Sequence, residues 1–130
     1  MDFTVVDGYL LGEPVSKAQA VAALLADRSD AEAALPFYRA LDAVGVRAAD
    51  EALVALRIVL AGAAPDDDRV RRLRALSAIA RSARNGDERA VEAVLRRDGA
   101  ALPGVALDGD LAAKGAAAKE AYVSELSGSR

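Results

Sequence analysis

A chain of 130 residues with a formal net charge of −3 has room for one domain and one core. Its 53% apolar content excludes a disordered segment, and the absence of Cys and His excludes disulfide scaffolds, thiolate or imidazole zinc sites, cysteine nucleophiles and histidine bases. Aromatic residues make up only 4% and Ala about a quarter, so a core of Ala, Leu and Val built from helices is expected.

The first fifteen residues stand apart. Thr4-Val5-Val6 and Tyr9-Leu10-Leu11 flank Asp7-Gly8, a pair suited to a two-residue turn, so residues 1–15 are expected to form a small β-hairpin or a short irregular arm. A hairpin alone is marginal in water and must pack on the helices or pair with another chain. Ser16, with Gln19 three residues on, is a capping box that opens a helix over 17–26. Ser29 or Asp30 caps the next, with Glu32 as the box partner of Ser29. Pro36 either kinks that helix or sits in the first turn of a fresh one, and Gly45 ends it. Asp50 caps a third helix, which stops near Gly62 and Pro65. Asp66-Asp67-Asp68 places negative charge at the start of a fourth, which Asn85-Gly86 closes. Asp87 starts a fifth that ends near Gly99. A sixth spans 110–126 on the stripe Leu111, Gly115, Ala118, Tyr122, Leu126, and its small face at Ala113, Gly115, Ala116 and Ala117 permits close helix approach. Residues 127–130 are expected to fray. The organisation expected is one helical domain over 1–130, with helical hairpins in 16–99 and a C-terminal helix in 110–126.

An internal echo gives these helices an order. Ala20-Val21, Leu24-Leu25 and Ala26 recur thirty-five positions later as Ala55-Leu56, Val59-Leu60 and Ala61, and Arg39-Ala40-Leu41 recurs as Arg74-Ala75-Leu76. A fixed period holding two helices per unit is the sign of a stacked helical solenoid, in which each unit leans on its neighbour. The stretch from Pro65 to Ile79 resembles the HEAT-like helical repeat: Asp67, Val70 and Arg71 match its Asp-x-x-Val-Arg in place, and Ala75-Leu76 lies two positions early. That resemblance covers about residues 17–99 through a degenerate motif. It implies a short right-handed stack of helical hairpins that binds another macromolecule; a compact helical bundle is the alternative fold.

Charge is uneven along the chain. Nine Arg lie between positions 69 and 97, opposed there only by Asp87, Glu88 and Glu92. On a helical wheel Arg71, Arg74 and Arg81 point away from the apolar side formed by Leu73, Leu76, Ala80 and Ala83, with Arg84 at the flank. Arg74, Arg81 and Arg84 are therefore the candidate contacts for an acidic protein surface or a phosphate backbone. Asp67 and Asp68 precede Arg71 and Arg72 by four residues, and Glu92 precedes Arg96, in the favourable order for intrahelical pairs. Arg57 interrupts a helix that is otherwise apolar nearly all round. It must snorkel, meet a carboxylate such as Asp42 or Asp50, or wait for a bound anion.

Nothing in the sequence points to catalysis. Gly-rich phosphate loops, metal-spaced carboxylates and a Gly-x-Ser-x-Gly elbow are missing, so no catalytic residue, metal or cofactor is expected. Asp2 and Asp7 stand where a signal peptide would carry basic residues. The longest apolar run, 52–64, is too short to span a bilayer and contains Arg57, so a cytoplasmic chain with no membrane contact is expected. The function expected is a non-catalytic protein–protein interaction, adaptor or assembly module, a regulatory or structural subunit even of a viral particle, acting on a protein partner or on itself. Nucleic-acid binding through the Arg face is the alternative, and a small-anion binder or enzyme centred on Arg57 is the third reading.

Overall fold

The computed structural model describes residues 2–26, 28, 31–62 and 67–128. Among these residues the chain forms seven α-helices and no strand, an all-α fold. They are α1 (Thr4–Leu10), α2 (Lys17–Ala26), α3 (Leu35–Val44), α4 (Asp50–Leu60), α5 (Asp67–Arg84), α6 (Glu88–Asp98) and α7 (Leu111–Gly128), with short 3₁₀ turns at Glu32–Ala34, Gly45–Arg47 and Gly99–Ala101.

The N-terminal hairpin expected at Asp7-Gly8 is replaced by α1. Asp2 accepts from the backbone N–H of Thr4 at 2.9 Å and from its hydroxyl at 2.6 Å, which steers the chain into a helical turn. Val6, Tyr9 and Leu10 are buried at the i, i+3, i+4 spacing of a helix, while Val5 stays exposed. The turn comes instead at Gly12, whose φ of 79° is the left-handed conformation suited to glycine. A Cβ there would lie 2.7 Å from the Arg81 Cα, so Gly12 also allows α5 to approach the end of α1.

Local signals place most other boundaries. The capping box closes reciprocally: the Ser16 N–H donates to Gln19 Oε1 at 2.9 Å and the Gln19 N–H to Ser16 Oγ at 3.1 Å. The expected caps Ser29 and Asp30 lie outside the described residues, as do Pro65 and Asp66. Pro36 sits in the first turn of a fresh helix, and Gly45 ends that helix with φ 53°. Asp87 caps α6 through the Ala90 N–H at 3.0 Å, and Asp110 caps α7 through the Ala113 N–H at 2.8 Å. Asp50 does not cap α4. Ala49 holds that position, and the Asp50 carboxylate turns to other helices. The C-terminal helix runs beyond 126, so Ser127 and Gly128 are helical rather than frayed, with the Ser127 hydroxyl donating to the Val123 carbonyl at 2.7 Å. Residues 129 and 130 lie outside the described residues.

The core is organised about α5, which packs against α7, α6 and α4 and buries Leu73, Ala75, Leu76, Ile79, Ala80 and Ala83. Gly115 of α7 meets Ala83 so closely that a Cβ on the glycine would lie 2.6 Å from the alanine methyl. The small face of the last helix thus serves close approach to α5. The like-on-like stacking of α2 on α4 and α3 on α5 that a HEAT-like array would bring is not among the close helix pairs. Echoed positions also differ in environment: Ala40 is exposed and Ala75 fully buried.

Candidate functional site

Arg72, Arg74, Arg81 and Arg84 of α5 reach to neighbouring elements. Arg74 reaches Glu51 of α4 at 3.1 Å and the buried Asp98 of α6 at 2.8 Å. Burial pushes the Asp98 carboxyl up, but the Arg97 hydrogen bond and the Arg74 and Arg97 charges outweigh it and hold Asp98 below its ordinary value. Arg81 lies 3.8 Å above the Tyr9 ring, donates to the Tyr9 carbonyl at 2.7 Å and pairs with Asp50. Asp50 also accepts from the Tyr9 hydroxyl at 2.9 Å and faces Lys17 at 3.3 Å. Burial and that carboxylate together raise the Tyr9 pKa.

Arg84 reaches Glu13 at 3.1 Å, and Lys119 of α7 binds the same carboxylate, so Glu13 stays below the usual carboxylate range chiefly through its Lys119 hydrogen bond. These two cations edge a groove of about 370 Å³ between α5 and α7, floored by Ala80, Ala83, Gly115 and Ala116. Arg72 pairs with Glu125 of α7 at 2.7 Å, and its guanidinium also donates to the Ala101 carbonyl. The intrahelical pair expected with Asp68 gives way to this tertiary one. The three candidate contacts Arg74, Arg81 and Arg84 therefore each hold a carboxylate of this chain. Arg71, Arg89 and Arg96 are exposed and form no ion pair among the described residues.

Arg57 is 7% exposed, and its partner is Asp7 of α1 rather than Asp42 or Asp50. Its Nε and Nη2 donate to the two Asp7 oxygens at 2.9 and 3.0 Å, and its guanidinium carbon lies 3.5 Å from the Phe3 ring centroid. Asp42 pairs with Arg28. Tyr122 of α7 is fully buried beside this pair, and burial raises its pKa. One edge of the guanidinium fork thus holds Asp7 and one of its faces lies against Phe3.

The surface that sequence reasoning missed is the outer side of α3. In Leu35–Val44 only Arg39 and Asp42 are polar, and they share one edge of the helix. Tyr38 and Leu41 are buried on the core side, whereas Pro36, Ala40, Ala43 and Val44 fall within an arc of about 100° and are all exposed. Val44 is 46% exposed, and Val46, just beyond the helix, is 52% exposed; Leu35 lies off this arc, between Asp42 and Arg39. A helix apolar on both sides is ordinarily covered on both sides. The signal was present in the sequence as a ten-residue helix whose polar residues occupy a single narrow edge.

Among the described residues no group of three or more acidic, His or Cys side chains is placed to hold a metal ion. Among the described residues, no helix is long and apolar enough to cross a membrane. No protein-family model, no curated protein and no solved structure matches this chain.

Proposed function

We propose that this protein is a non-catalytic protein–protein interaction module that serves as an adaptor or subunit of a larger assembly. The observation that carries this reading is the bare apolar arc of α3, on which Pro36, Ala40, Ala43 and Val44 are all exposed, with Val46 exposed just beyond the helix. Contiguous exposed apolar surface on a folded domain marks an interaction site more often than scattered single residues do. The engagement of Arg74, Arg81 and Arg84 with Asp98, Asp50 and Glu13 supports the same reading, because those guanidinium groups already serve carboxylates of this chain.

A photo-crosslinking residue introduced at Ala43 tests it, with the same residue at exposed Glu92 of α6 as control. Protein adducts formed from position 43 in the cell, absent from position 92 and lost with Val44→Glu, are the expected result. The second reading is nucleic-acid binding, and exposed Arg71, Arg89 and Arg96 favour it. Fluorescence anisotropy with labelled DNA and RNA at two salt concentrations separates the two. Salt-sensitive binding that disappears when these three residues are reversed in charge, with no adduct at position 43, replaces the first reading with the second.

A further inference from the structure

We propose that Asn85 is a site of slow spontaneous modification, at which the side-chain amide is lost through a cyclic imide formed with the backbone nitrogen of Gly86. Asn85 is the only Asn of the chain, and it stands exposed in the turn between α5 and α6. Its side-chain amide makes no hydrogen bond among the described residues, so it is free to rotate towards the next peptide group. Gly86 has no Cβ, and one built there would meet nothing within 4 Å, so nothing crowds a ring closing at this point. In the reaction the Gly86 nitrogen gives up its proton and bonds to the Asn85 Cγ. The Cγ–Nδ2 bond breaks and the side-chain nitrogen leaves as ammonia. Water then opens the imide at either carbonyl. Opening at the main-chain carbonyl leaves an isoaspartate, whose backbone is one carbon longer; opening at the other leaves an aspartate. Water is the only co-reactant, nothing is oxidised or reduced, and either product adds one negative charge.

The fold sets the pace of this reaction. α5 ends in a paired cap around Gly86 at φ 73°: the Gly86 N–H donates to the Ala83 carbonyl at 3.1 Å and the Asp87 N–H to the Ser82 carbonyl at 2.8 Å. While those bonds hold, the attacking nitrogen is tied back to the helix, and the imide must wait for the cap to open. Opening at an exposed helix end is a local event that leaves the core intact. The isoaspartate product cannot rebuild the cap in its former geometry, because its added carbon lies between the α-carbons of positions 85 and 86, inside the loop that both bonds close. Its new charge also falls at the C-terminal end of α5, where the helix dipole disfavours an anion. The Asp-Gly pairs Asp7-Gly8, Asp98-Gly99 and Asp108-Gly109 can pass through a similar imide, but they lose no ammonia, so a change of mass singles out Asn85 from them.

Incubation of the purified full chain at physiological temperature and mildly alkaline pH, followed by intact mass and peptide mapping, tests the proposal. The expected result is exchange of –NH₂ for –OH at position 85, with isoaspartate in excess over aspartate, at a rate that rises with pH. The folded chain should react about tenfold or more slowly than the same chain unfolded in guanidinium chloride, because the cap must open first. Asn85→Gln should suppress the change, since its longer side chain closes a larger ring. In the isolated isoaspartate product, hydrogen exchange at the Gly86 and Asp87 amides should be faster than in the parent. A folded chain that keeps its Asn85 amide over the time in which the unfolded chain loses it completely overturns the proposal. Equal rates in the two states overturn the role given to the cap, and a product containing aspartate alone overturns the imide route.

Discussion

Asp7 and Arg57, fifty positions apart, meet through two hydrogen bonds of 2.9 and 3.0 Å, and this pair joins the short first helix to the most apolar helix of the core. The Phe3 ring against the guanidinium and buried Tyr122 beside it make the environment one in which a lone charge would be costly. The Arg57–Asp7 pair thus does for α1 what sheet pairing would have done for a hairpin.

Removing one member of this pair should therefore cost more than removing both. Arg57→Ala is expected to destabilise the fold by about 3 kcal/mol, because it strands Asp7 beside apolar neighbours and empties a packed site. Arg57→Met combined with Asp7→Leu should recover a good part of that loss. Urea midpoints of the two single variants and the double variant measure the coupling.

The α5–α7 contact depends on the absence of a side chain at Gly115. Gly115→Ala puts a methyl 2.6 Å from the Ala83 methyl and must push the helices apart, which outweighs the better helix propensity of Ala. A loss of about 1–3 kcal/mol is expected. Gly86→Ala meets open space but has φ 73°, so strain alone would set its cost. Thermal unfolding of both variants, compared with Gly115→Ser as a bulkier step, separates crowding from backbone strain.

The Arg residues of α5 should divide into two groups by stability rather than by binding. Arg81→Ala removes an ion pair with Asp50, a bond to the Tyr9 carbonyl and the stacking on the Tyr9 ring, and should lower stability by about 1–3 kcal/mol. Arg71→Ala, at an exposed position with no ion pair among the described residues, should stay within about 0.5 kcal/mol of the parent. Chemical denaturation of the two variants checks the contrast.

Acid should weaken the α5–α6 junction. The Asp98 carboxyl is held below its ordinary 3.8, so its contribution is present above that value and is lost as pH falls through the lower, folded-state value. Glu13, also lowered, acts in the same direction. Asp98→Asn is expected to cost about 2 kcal/mol at neutral pH. The gap between parent and variant should narrow as the medium is acidified below pH 3.8. Stability curves collected across that range read the effect directly.

Sequence and tertiary structure divided the work along the line between local and distant interactions. Helical class, the Ser16–Gln19 box, the helix starts at Asp87 and Asp110 and the stops at Gly45 and Gly86 are legible in the sequence, whereas Pro36 allowed either a kink or a first turn. Each depends on residues within three or four positions of one another, and backbone geometry brings those together wherever the helix forms. The partners of the charged residues are of another kind. Asp42 and Asp50 were the partners that the sequence suggested for Arg57, and the packing of α1 across α4 supplied Asp7 instead. The same packing took Asp50 from its capping role to Arg81 and turned Arg72 from Asp68 to Glu125. It converted Asp7-Gly8 from a hairpin turn into the middle of a helix, because burying Val6, Tyr9 and Leu10 on one stripe requires helical spacing. The bare side of α3 belongs to both levels. Its apolar arc is written in the sequence, but which arc faces the core and which faces solvent was decided when Tyr38 and Leu41 found their places against the neighbouring helices.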